Sequence, residues 1–67
     1  MKNFIELTDV TANREITTCF SIRSITSFRP RISAYDTSKT EIRSGDDIFI
    51  VKEDYNTVKL MLSEAQR

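Results

Sequence analysis

The sequence contains no histidine and no tryptophan, and it has only one cysteine, one glycine and one proline. Histidine is the commonest general base and metal ligand, and it is the side chain that titrates near neutral pH. Its absence argues against an enzyme, and we predict no catalytic, cofactor-binding or metal-ligating residues. The single cysteine, Cys19, excludes an internal disulfide, and with it the small secreted domains that disulfides hold together.

Two further absences concern charge and hydrophobic length. Ten Lys and Arg balance ten Asp and Glu, so no net charge draws the chain to nucleic acid or to an anionic membrane. No apolar run approaches roughly 18 residues, and the first residues lack the apolar stretch of a signal peptide. We therefore expect a cytoplasmic protein, of a bacterium or of a cell infected by a phage, without a membrane partner.

The composition that remains is typical of one globular domain spanning residues 1–67. Hydrophobic residues make up 39% of the chain and charged residues 30%, which is not the balance of a disordered segment. A chain of this length buries only roughly 60% of its unfolded surface. An exposed groove or a sheet edge is therefore favoured over a buried cavity as the working surface.

The first third of the chain has the pattern of a hairpin. Alternating apolar and polar residues predict a strand at residues 4–8, with Ile5 and Leu7 on one face. Asp and Asn within residues 9–13 favour a turn, and β-branched residues at 15–20 predict a second strand. The second strand is expected to pair back on the first.

Residues 25–29 predict a third strand whose phase is irregular. Ile25 and Phe28 are three positions apart, whereas side chains on one face of a strand are two apart. A bulge, or a strand anchored on one side only, would explain this spacing. Pro30 has no N–H to donate, so it ends this strand or marks the edge of a sheet. Residues 30–39 stay open between a further strand and a loop.

The last third has the clearest pattern. Residues 40–43 and 48–51 predict two strands joined by a turn at 44–47, which contains the only glycine. The second of these strands is apolar on both faces, so we expect it at the centre of the sheet. Asp54 is a favourable N-cap, and one apolar helix face follows it, made of Tyr55, Val58, Met61, Leu62 and Ala65.

These segments predict the α+β class. We expect an antiparallel meander of about four to five short strands, forming a partly open, barrel-like sheet, with one C-terminal helix packed on it.

The last third of the chain resembles the small FlbD-type proteins of flagellar and swarming motility, and similar short proteins of bacterial mobile elements and phages. The residues that carry this resemblance are Thr40-x-Ile42, the turn 44–46 and the segment 48–58. The chain departs from that family at residues 28–38, which are several residues longer. The resemblance implies a small regulatory or accessory protein and carries no catalytic residues over.

The remaining candidates for chemistry have structural interpretations. Cys19 lies in a predicted strand without a histidine to activate it, so we predict a packed structural cysteine. Asp46 and Asp47 lack the alternating ligands of a calcium loop, which favours a polar turn. Glu53 and Asp54 are explained by helix capping.

One group of side chains stands out as a possible contact surface. Basic residues concentrate between positions 23 and 43, interrupted by Asp36 and Glu41. Phe28 and Tyr35 are available to stack on bases, as aromatic residues do on sheet faces that bind single strands. The candidate nucleic-acid or partner contacts are Arg23, Arg29, Arg31, Tyr35, Lys39 and Arg43.

Two hypotheses follow from the sequence. The first is a small non-enzymatic interaction or accessory module, acting through a sheet edge or a helix face. Its partner is an unknown protein or a second copy of the chain, and Tyr55 and Leu60 are expected to be partly exposed on the helix. The alternative is a nucleic-acid-binding module that uses the basic segment of residues 23–43.

Overall fold

The structure, a computed structural model, describes residues 3–32 and 38–65. These residues form one open sheet of five antiparallel strands and one C-terminal helix, which confirms the predicted α+β fold. A 3₁₀ turn at Ile22–Ser24 joins the second strand to the third. The elements are β1 (Phe4–Asp9), β2 (Ile16–Ser21), β3 (Ile25–Pro30), β4 (Thr40–Ser44), β5 (Asp47–Val51) and α1 (Tyr55–Ala65).

The strand order in the sheet is β2-β1-β5-β4-β3, so the first and the last strand are neighbours. β1 and β2 pair along their whole length as the predicted hairpin, and β3, β4 and β5 form a meander. β5 is central, as its apolar sequence predicts. The hairpin and the meander meet through a single residue pair, Asp9 opposite Val51.

The predicted bulge lies in β3. Ile25 is opposite Ser44 and Ser27 is opposite Arg43, so Thr26 is one extra residue in the pairing. This extra residue changes the phase of the strand, and it brings both apolar residues of β3 to the helix side of the sheet. Pro30 ends β3 at an edge of the sheet, as its missing N–H predicts.

The structure decides part of residues 30–39, which the sequence leaves open between a strand and a loop. The N–H of Arg31 donates to the carbonyl of Lys39 at 2.9 Å, so the pairing of β3 with β4 continues for one residue beyond the strand. Residues 33–37, which include the candidate Tyr35, lie outside the described residues.

The hydrophobic core lies between the sheet and α1. Its strand residues are Ile5, Leu7, Phe20, Ile42 and Val51, and its helix residues are Val58, Leu62 and Ala65. Phe20 and Phe49 meet edge to face with ring centroids 5.2 Å apart. Leu60 is exposed, as predicted, because it lies off the apolar face of α1. The core therefore uses one stripe of a helix that is too short to persist alone in water.

The helix begins as the sequence predicts. The N–H of Thr57 donates to Oδ1 of Asp54 at 2.7 Å, which is the bond of an N-cap. The prediction for Glu53 is wrong. Its carboxylate does not cap α1 but accepts hydrogen bonds from Thr8 in β1: 2.9 and 3.2 Å from the N–H, and 3.0 Å from the hydroxyl.

The geometry of antiparallel pairing explains this contact. The N–H of Lys52 donates to the carbonyl of Thr8 at 2.9 Å, and a regular pair would return a bond from the N–H of Thr8. The chain turns away at this point to begin α1, so the carboxylate of Glu53 takes the place of the missing carbonyl. We call the contact between residues 8–11 and 50–53 the junction.

Other bonds complete the junction. The N–H of Val10 donates to the carbonyl of Ile50 at 2.8 Å, and the N–H of Ile50 donates to the hydroxyl of Thr11 at 2.9 Å. The hydroxyl of Thr40, which is fully buried, donates to the carbonyl of Glu53 at 2.8 Å. The junction thus fixes the position of the hairpin relative to both the meander and the start of α1.

Replacing Glu53 tests the junction. Glu53→Ala leaves the N–H of Thr8 without its acceptor, and we expect the free energy of unfolding to fall by about 1–3 kcal/mol. Glu64→Ala, at an exposed position of α1, is the control and should stay within about 0.5 kcal/mol of wild type. Urea unfolding measures both. Equal effects of the two changes would show that the carboxylate does not stabilise the junction.

The cap of α1 gives a dependence on pH. Hydrogen bonds from the side chain and the backbone of Thr57 lower the pKa of Asp54 below its usual value of 3.8. The ionised carboxylate therefore stabilises the fold fully above the pKa of the unfolded chain, and this contribution is lost as pH falls through the lower pKa of the folded chain.

Asp54→Asn keeps a capping oxygen and removes the charge. Near neutral pH, the thermal midpoint of wild type should be higher than that of the variant by a constant difference. This difference in midpoint should shrink below about pH 4. Asp46→Asn, in the exposed β4–β5 turn, controls for the loss of one carboxylate. A difference between wild type and Asp54→Asn that grows on acidification would contradict the assignment.

Candidate interaction surfaces

A groove separates α1 from β3. It encloses about 490 Å³, and Phe28 and Tyr55 stack beside it with ring centroids 5.4 Å apart and ring planes at 29°. Tyr55 is the first residue of α1, so the stack fixes the start of the helix against β3. The lining includes Ile22, Ile25 and Phe28 on the sheet side, and Tyr55, Lys59 and Leu62 on the helix side.

The backbone at the edge of β3 borders this groove. Because Arg31 bonds to Lys39, the alternation of an antiparallel pair directs the amides of Ser27, Arg29 and Arg31 towards β4. The N–H and carbonyl of Phe28 therefore point to the open edge. The bulge at one end and Pro30 at the other keep this open stretch short.

The same register gathers four of the predicted basic residues. Arg29, Arg31, Lys39 and Arg43 alternate with core residues of β3 and β4, so they lie on the outer face, which is the face of the sheet opposite α1. Arg29 Nε is 2.6 Å from Glu41 Oε2, and this ion pair offsets part of the positive charge.

The other two candidates lie elsewhere or are not described. Arg23 is exposed in the 3₁₀ turn before β3, outside the strands that carry the other four, and Tyr35 falls in the undescribed segment. Phe28 stacks on Tyr55 on the helix side, the face of the sheet opposite these basic residues, and its stacking on bases stays a prediction. On β3 and β4, the outer face therefore offers charge and no described aromatic side chain.

Cys19 is exposed, and the prediction of a packed cysteine is wrong. Its neighbours Thr18 and Phe20 lie in register with Leu7 and Ile5, and Phe20 enters the core, so the alternation turns Cys19 to the outer face. Its Sγ is 3.9 Å from Oε2 of Glu6, at the limit of a weak hydrogen bond.

The acidic candidates do not form a metal-binding group in the described part of the chain. Asp46 and Asp47 are exposed at the β4–β5 turn, where Gly45 has a φ of +61°. Within residues 3–32 and 38–65, no three His, Cys, Asp or Glu side chains come together in a way that could hold a metal ion. The prediction that the chain is not an enzyme stays a prediction.

Comparison adds no relative. The chain matches no protein-family model, no curated protein and no solved structure. The resemblance to FlbD-type proteins therefore stays a prediction. In the described part of the chain, no helix is long and apolar enough to cross a membrane.

Proposed function

We propose that the chain is a small non-enzymatic protein-interaction module that binds a short extended segment of a partner along the edge of β3. The observation that carries this proposal is the open backbone of Phe28 beside a groove lined by both apolar and polar side chains. An added strand gains affinity from main-chain bonds and specificity from alternate side chains that enter a pocket. The groove supplies that pocket.

The lining of the groove defines the side chain that it accepts. Ile25 and Leu62 offer apolar surface, and Lys59 places a positive charge at the rim. The bulge at Thr26 and the missing N–H of Pro30 restrict regular pairing to about three or four residues. The partner segment is therefore short, and it carries an apolar residue flanked by residues without positive charge.

Selection from a random peptide library tests this proposal. Selected peptides should share an apolar residue, and in NMR titration they should shift the amide signals of Ile25, Phe28 and Leu62. Ser63→Tyr places a ring at the lining of the groove and should weaken binding by about tenfold or more, which is about 1.4 kcal/mol.

Asn56→Tyr makes a similar change at an exposed helix position that does not line the groove, and it should bind as wild type does. Peptides whose binding shifts signals of other surfaces, or that bind both variants equally, would contradict the groove as the site.

A second candidate function uses the outer face. The gathering of Arg29, Arg31, Lys39 and Arg43 supports binding of a polyanion such as single-stranded nucleic acid. No described aromatic residue of β3 or β4 lies on this face, so such binding depends on counterion release and should weaken steeply with salt.

Charge reversal distinguishes this candidate. Arg31→Glu with Arg43→Glu should abolish binding of a single-stranded oligonucleotide at low salt, measured by fluorescence anisotropy. Arg14→Glu with Lys59→Glu changes the net charge equally at exposed positions off the outer face and should retain most of the binding. If the two double variants lose oligonucleotide binding equally, the binding reflects net charge alone and the outer face is not the site.

A further inference from the structure

The two outer strands of the sheet differ in how their edges are protected. β3 is interrupted by a bulge and ends in Pro30, two devices that leave room for a short segment but disfavour pairing with another full strand. β2 has neither. It pairs with β1 at six consecutive positions without a register shift, and its residues Ile16–Ser21 include no charge, proline or glycine.

The register identifies the open backbone groups of β2. The N–H of Ile22 donates to the carbonyl of Asn3 at 3.0 Å, so the even-numbered residues of β2 bond to β1. Thr17, Cys19 and Ser21 face the open edge, where no described strand pairs with them. The carbonyl of Ser21 already accepts the hydroxyl of Ser24 at 2.9 Å. Thr17 and Cys19 thus keep complete donor and acceptor pairs.

We propose that two copies of the chain associate through β2, antiparallel to each other, so that one sheet runs through both. This inference is independent of the proposed groove, which borders the opposite edge. An uncharged strand meets its own copy without repulsion between like charges, and the chain has no net charge to oppose association. Because the edge of β3 is protected, the assembly closes at two copies instead of growing into a fibre.

One register fits the open groups. With Thr18 of each copy on the two-fold axis, Thr17 of each copy exchanges both backbone bonds with Cys19 of the other. This register also places Ile16, which is 42% exposed, opposite Phe20 of the other copy, an aromatic and β-branched pair of the kind that stabilises sheets. A register centred on Cys19 would need the carbonyl of Ser21, which is already bonded within the chain.

Sedimentation equilibrium from about 10 μM to about 1 mM tests the association. The range reaches high concentration because an interface made by one pair of short strands is small, and the dimer is expected to be weak. Wild type should approach twice the monomer mass and no more. Thr17→Lys places a charge at the open edge and should give a monomer across this range. Asn56→Lys, which adds the same charge at an exposed helix position, should dimerise as wild type does. Circular dichroism establishes that both variants are folded.

Mild oxidation tests the register. Thr18→Cys combined with Cys19→Ser should form a disulfide between copies, since residues opposite each other on the axis have Cα atoms within bridging distance. Native Cys19 should form far less of the disulfide, because in this register it lies opposite Thr17 of the other copy and not opposite Cys19. A wild-type chain that stays monomeric at about 1 mM, assembly beyond two copies, or dimers unaffected by Thr17→Lys would each overturn the proposal.

Discussion

The fold depends on the contact between Thr8 and Glu53. Backbone pairing between the hairpin and the meander is limited to the junction, and the core takes residues from both parts and from α1. The carboxylate of Glu53 continues the pairing where the backbone of β5 turns into the helix. The carbonyl of the same residue accepts the buried hydroxyl of Thr40. One residue therefore connects β1, β4 and α1.

The sequence predicts the features that depend on neighbouring residues. Asp54 caps α1 because its oxygen and the N–H of Thr57 are three residues apart, and Gly45 marks a turn because it adopts a positive φ without strain. The spacing of Ile25 and Phe28 predicts an irregular strand, and the structure resolves it as a bulge, whose extra residue brings both side chains to one face. Such features need no knowledge of the rest of the fold.

The features that the sequence does not predict depend on distant partners. Glu53 reads as a capping residue because its acceptor role requires Thr8, which is 45 residues away. The sequence predicts a packed Cys19 because both faces of β2 carry similar β-formers. Which face Cys19 occupies is decided only by the register with β1. The sequence also does not predict where the groove lies. Its position depends on the turn after β2 and on the stack of Phe28 on Tyr55, which hold β3 near α1.

The neighbouring position of the first and last strands has a consequence for folding kinetics. The β1–β2 and β4–β5 hairpins pair residues close in sequence, so each can form early at a low cost in chain entropy. β1 meets β5 across most of the chain, and loop closure over that distance must precede any stabilisation by the junction. During synthesis, β1 and β2 leave the ribosome long before Glu53 does. The free edge of β1 therefore stays unpaired until β5 and Glu53 have been made.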